Sequence, residues 1–152
     1  WGTPIFSNIA GSESTHTEAV RALLVAYDIA DPVGATPVVG VFVDPAMAEL
    51  YRALTTRGSA SLPEALAVGA LVEDLDIRDL EGHLASTDKA DIRTVYEQLL
   101  RGSRNHLRSF VGQITTRGGS YSPTYMSQAA FDSVLSSPKE TGEGYGRGRD
   151  GR

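Results

Sequence analysis

The stretch NIAGSESTHTEAVRALLVAY, residues 8–27, decides how this chain folds, because a helical apolar period runs through it and two polar residues break that period in the middle. Residues three and four apart share one face of a helix. Here that face runs Ile9, Glu13, His16, Val20, Leu23, Leu24 and Tyr27. Burying a charge without a partner is costly. Either the face is more exposed than its pattern implies, or something in the fold neutralises Glu13 and engages His16.

The same interruption recurs downstream. Ser61-Leu-Pro-Glu64 has the form of a capping box, with Ser61 capping and Glu64 reaching back, and it predicts a helix to about His83. Its apolar stripe runs Leu62, Leu66, Gly69, then Glu73 and Asp76, then Leu80 and Leu84. Thr87, with Asp88 and Asp91 in the first turn, predicts the longest helix, which Gly118-Gly119 ends after about Arg117. Its stripe runs Ile92, Val95, Leu99, then Ser103 and His106, then Phe110 and Ile114. Antiparallel packing brings mid-seam residues of successive helices to similar depth, so Glu13, His16, Glu73, Asp76 and His106 read as one constellation.

The remaining chain supplies connections. Thr3-Pro4 fits an N-cap followed by proline at the first helical position, although SNIA, from Ser7, is an equally good start for the first helix. After Tyr27 a crossover rich in proline and glycine carries the only strand candidate, PVVGVFV at 37–43. With no second run to pair with, it reads as an extended crossover segment. Asp44-Pro45 opens a short helix closed by Gly58, and a further short helix is expected from Gln128 to Leu135. Residues 1–138 read as one domain, and 139–152, rich in glycine and arginine, as a disordered tail. The fold class is all-α.

Composition narrows the function. A net charge of -5 argues against a nucleic-acid partner. The absence of cysteine removes disulfides, thiolate metal sites and cysteine nucleophiles. No apolar run is long enough for a membrane span. The chain starts at Trp1, so a processed or incomplete N-terminus is expected, and processing would place the protein outside the cytoplasm. His83 reads as a surface residue near a helix C-terminus, and Asp74 and Asp79 as solvent-facing. Tyr27, Tyr51 and Tyr96 read as core residues, and Arg104 and Asn105 as neighbours of His106 or bundle surface.

The constellation has a definite chemistry. Carboxylates and imidazoles suit iron, with manganese or zinc as alternatives, and the Glu-x-x-His element at 13–16 is the one that di-iron and di-manganese bundles use. Two divalent ions carry four positive charges against three negatives from Glu13, Glu73 and Asp76. A dinuclear site therefore wants one more carboxylate, and a helix before Trp1 could bring it.

Five blocks, FSNIAGSESTHTEAVRALL, GVFVDPAMAELYRAL, SLPEALAVGALVEDLDIRDL, GSRNHLRSFVGQI and YSPTYMSQAAFDSVL, resemble in order the bacterial and archaeal DUF2202 family of the ferritin-like superfamily. The resemblance implies an up-down four-helix bundle with a long crossover between its second and third helices. The family's glutamate-rich first helix would precede Trp1 and is missing from this chain. It also implies that Glu13 and His16 form the ExxH of the second bundle helix, Glu73 the glutamate of the third and His106 the histidine of the fourth. Asp76 is an extra carboxylate, and Ser103 stands where a glutamate would be expected. The expected function is a metal-binding protein holding one or two ions, with an oxidase, peroxidase or iron-handling role. The missing helix would come from self-association or a partner. The alternative is a metal-free helical assembly module in which the same residues pair with each other.

Overall fold

The computed structural model describes residues 1–34 and 38–141 and contains five helices: α1 Pro4–Ala26, α2 Pro45–Ser59, α3 Leu62–Ser86, α4 Ala90–Thr116 and α5 Gln128–Ser136. There is no strand among the described residues. The tail expectation falls, from residue 142 on, outside them.

Local chemistry accounts for most of the boundaries. Thr3 adopts an extended backbone and Pro4 takes the first helical position, so α1 starts there rather than at Ser7. Asp44 accepts a hydrogen bond from the Ala46 amide at 2.8 Å and opens α2. Ser61 accepts from the Glu64 amide at 3.2 Å, but the second half of the expected capping box is not made. The Glu64 carboxylate accepts instead from Arg57 Nε at 2.6 Å, tying the end of α2 to the start of α3. The N-cap of α4 is Lys89, two residues later than expected, and the Thr87 hydroxyl accepts from the Lys89 amide within the turn. Gly118, at φ +78°, lets the Gly119 amide reach back to the Ile114 carbonyl and end α4.

The valine-rich crossover is a turn. The Val41 amide donates to the Val38 carbonyl at 3.0 Å around Gly40, whose φ of +81° a residue with a Cβ would adopt only under strain. Pro37 lies outside the described residues.

Packing is hierarchical. α3 and α4 form an antiparallel hairpin along their lengths, with α2 against α3 and α1 and α5 against α4. No other pair of helices comes into backbone contact among the described residues. Leu66, Ala70 and Ile77 from α3 meet Leu100, Leu107, Phe110, Val111 and Ile114 from α4, and Phe131 and Val134 of α5 close the end. Gly69 admits the Phe110 ring, which a Cβ there would overlap. α1 has no buried residue; Ile5, Phe6 and Ile9 only lean on this core. It runs antiparallel to α4, since Phe6 meets Phe110 at one end and the Tyr27 hydroxyl donates to Asp91 at the other, 2.9 Å away. Among the described residues no helix is long and apolar enough to cross a membrane.

Candidate metal centre

The three interruptions meet where α1, α3 and α4 come together. Glu13 and His16 stand one turn apart on α1, and His16 Nδ1 lies 3.1 Å from Glu13 Oε2. His106 Nδ1, on α4, lies 2.9 Å from Glu13 Oε1 and 3.3 Å from Glu73 Oε1 on α3. Glu13 thus lies between two imidazoles with one carboxylate oxygen turned to each, and the ring centres are 5.7 Å apart. Glu73, Ser103 and His106 are buried, whereas the Glu13 side chain keeps 42% of its surface exposed. Both readings of the first helix therefore apply, because the face is partly open and the pair is also engaged.

One ligand atom each from Glu13, Glu73 and His106 lies within 4.8 Å of the others. His16 joins through the second oxygen of Glu13. Asp76 stands outside this trio, across a hollow of about 200 Å³ whose wall also includes Glu13, His16, His83 and Ser103.

Electrostatics divides the group. Burial works to raise Glu13, but contacts with His106 and then His16 prevail and hold its carboxyl at about 2. Burial works to lower His106, yet Glu13 and Glu73 outweigh it and push the imidazole up to about 9. Glu73 is raised by burial, partly offset by His106. Asp76 is pushed up to about 7 by burial and then by the charges of Glu73 and Glu13. Without a metal, these shifts favour a charge-paired His106 and Glu13 at the centre.

The cluster does not satisfy itself. Glu13 Oε1, Glu73 Oε2 and His106 Nδ1 are all buried and lack a directed hydrogen-bond partner, even though 2.9 Å separates two of them. At that separation the pair attracts as charges, but the groups do not point along each other's donor and acceptor directions. Buried polar atoms are normally paired, so unsatisfied atoms on three neighbouring residues are an exception that asks for a reason. Ligands bound to one metal at about 2.0–2.2 Å lie roughly 3–4 Å from one another, and His106 stands 2.9 Å from Glu13 and 3.3 Å from Glu73.

Several neighbours take roles that the sequence pattern did not indicate. Gly102 lies under the His16 ring, and a Cβ there would overlap it. The available signal was a glycine in mid-helix, which costs about 1 kcal/mol relative to alanine and asks for a reason. Asp74, expected to face solvent, is fully buried. Its carboxylate accepts from the Tyr121 hydroxyl and from the amides of Thr124, Tyr125 and Met126, which pins the loop between α4 and α5. Asp79 does face solvent, paired with Arg78. Arg104 and Asn105 turn away from His106: Arg104 and Arg108 hold the Glu140 carboxylate, and Asn105 pairs with the Glu140 backbone through both its amide groups. Tyr27, expected in the core, is exposed at 39%, and the His83 ring lies tilted against Tyr96 at the rim of the hollow, ring centres 5.8 Å apart.

Comparisons with known proteins agree with this arrangement at the level of fold. An uncharacterized protein of Methanocaldococcus jannaschii, MJ0754, is 47% identical over 142 residues, spanning 93% of this chain and 76% of that protein. The crystal structure of the hypothetical protein MJ0754 superposes with a TM-score of 0.89 over 92% of this chain and 79% of that one. Residues 1–138 match the family described as an uncharacterized protein domain, DUF2202, and the chain belongs to that family.

Proposed function

We propose that this protein is a ferritin-like metal-binding protein whose ion is held by Glu13, Glu73 and His106. The single observation carrying this reading is the coincidence of the three unsatisfied buried atoms with the three residues whose ligand atoms converge. His16, on the free side of Glu13, is placed to serve a second ion, with Glu13 bridging and Asp76 available across the hollow. Carboxylate and imidazole donors favour iron, then manganese or zinc. Such an ion would supply Lewis acidity and, if iron, exchange of electrons with oxygen or peroxide. The protein's own contribution is a hollow walled on its apolar side by Leu80 and Leu99 and open along α1.

The ferritin-like form of the proposal rests on helix order. α1 and α3 run parallel, both lie against α4 and not against each other, and they are joined by a long crossover containing α2. They then occupy diagonal corners of a square, and a fourth helix, from an adjoining segment or another copy, completes it. Ser103 in place of a ligand leaves the α4 side one carboxylate short, which the fourth helix would compensate.

Elemental analysis of purified protein tests the centre, with one or two ions per chain expected and Glu13→Ala combined with His106→Ala expected to lose them. Stoichiometric metal in that double variant would refute the assignment. The 2.9 Å pairing of His106 with Glu13 favours a second reading, a metal-free ion cluster in an assembly module. That reading requires no metal uptake and an undiminished oligomer after both substitutions.

A further inference from the structure

We propose that the apolar pocket between α2 and α3 binds a small single-ring phenol, with the ring among the aliphatic side chains and the hydroxyl donating to Asp76. The pocket measures about 190 Å³ and is walled by Met47, Leu50 and Leu54 of α2 and by Leu71, Val72 and Leu75 of α3, with Asp76 as its one charged residue. An enclosed cavity of about 150 Å³ with such a lining holds benzene, so the volume of this half-open pocket suits a single substituted ring.

Two features show that the walls are built rather than incidental. Tyr125 closes one side, its amide held by buried Asp74 and the Arg78 guanidinium 5.0 Å from its ring centre. Phe42 and Tyr51 close another, ring centres 5.3 Å apart, with the Gly40 turn pressed so closely on Tyr51 that a Cβ would sit 3.0 Å from its ring. These aromatic walls are held by backbone hydrogen bonds and a turn, so the cavity does not depend on adjustable side chains alone.

Asp76 decides the chemistry of the occupant. Asp76 is half-buried in the pocket wall, and among the described residues no side chain or amide donates a hydrogen bond to its carboxylate. It belongs both to this pocket and to the hollow that contains Glu13, His16 and Ser103. A purely apolar ring would leave that carboxylate without a partner, and an ammonium would pair with it only by giving up its own hydration, a cost that offsets much of the attraction. A neutral hydroxyl on a ring satisfies the carboxylate and leaves the rest of the ligand apolar. Its oxygen then lies beside Asp76, on the side toward the metal centre. Regarding such a phenol as a substrate rests on the metal-centre reading, whereas its binding does not.

Saturation-transfer NMR and a thermal-shift titration with phenol and toluene, on the metal-stripped full chain, test the proposal. Phenol is expected to bind at least fivefold more tightly than toluene, and Asp76→Ala to remove that preference while toluene still binds. Leu54→Trp, which fills the pocket, should abolish both, and Met47→Trp at its rim should weaken both if the first variant does not fold. Absence of binding by either ring at millimolar concentration, equal affinities for the two in the unmodified protein, or binding undiminished in the variant that folds overturns it. Phenol binding without metal uptake would refute the metal centre and leave the pocket standing; metal uptake without phenol binding would do the reverse.

Discussion

The hairpin of α3 and α4 and the single helix α1 contribute to the same centre from opposite mechanical conditions. Glu73 and His106 project from a core in which Leu66, Ile77 and Leu107 are completely enclosed, while Glu13 and His16 project from a helix with no buried residue. The rigid pair sets where the centre lies, and the softer pair determines how completely it closes. Local opening follows the number of apolar contacts an element makes, so α1 is the element expected to move.

The largest break in that comparison comes from the core. Leu66→Ala should cost about 2–5 kcal/mol of stability by urea unfolding, whereas Ile9→Ala on α1, only half-buried, should cost about 1 kcal/mol. Equal losses would mean that α1 is as integral as the hairpin.

Next in size is the pH dependence of the metal-free protein. A histidine raised to about 9 in the fold binds its proton more tightly than in the unfolded chain, where about 6.5 is usual. Its contribution is therefore fully present below pH 6.5 and is lost as the pH rises through 9. Asp76, raised to about 7 from near 3.8, also makes the fold bind more protons, so stability falls between pH 4 and 7. Glu13, lowered to about 2, acts the other way, adding stability as pH rises from 2 to 4.5. Thermal melts across pH 2–10 should show these slopes, with His106→Gln removing the fall above 6.5 and Asp76→Asn reducing the fall between 4 and 7, to which the raised carboxyl of Glu73 also contributes.

A smaller effect should come from Gly102→Ala. The helix gains up to about 1 kcal/mol of propensity while the Cβ pushes His16 outward, so global stability should barely change. The His16 imidazole should nevertheless shift in NMR spectra while His106 stays in place, and any second metal ion should be lost before the first. The smallest change is expected from Tyr27→Phe, which removes an exposed hydrogen bond to Asp91 at the far end of α1 and should stay within about 0.5 kcal/mol.

The sequence was most legible where a local rule acts. Helix starts at Pro4, Pro45 and Leu62 follow from proline and capping side chains, whose partners lie within three residues. The capping box at Ser61 forms only on the Ser61 side, because Arg57, on another helix, takes the Glu64 carboxylate. The candidate ligands were visible as polar breaks in an apolar period, a pattern that depends only on helical spacing. Asp74 was not, since its acceptors' work is for amides about fifty residues away and nothing in its neighbourhood along the chain distinguishes it from Asp79.

By itself, then, the sequence determined that the chain is helical, roughly where each helix begins, and which polar residues, Glu13, His16, Glu73, Asp76, Ser103 and His106, interrupt its apolar stripes. Only the tertiary structure decided that Glu13, Glu73 and His106 converge, that His16 reaches them through Glu13, and that Asp76 faces a separate pocket as well. The division has a physical cause. Helical periodicity is set by backbone geometry over a few residues, whereas the rotation and depth at which two helices meet depend on packing between residues such as Gly102 and His16, far apart in the chain.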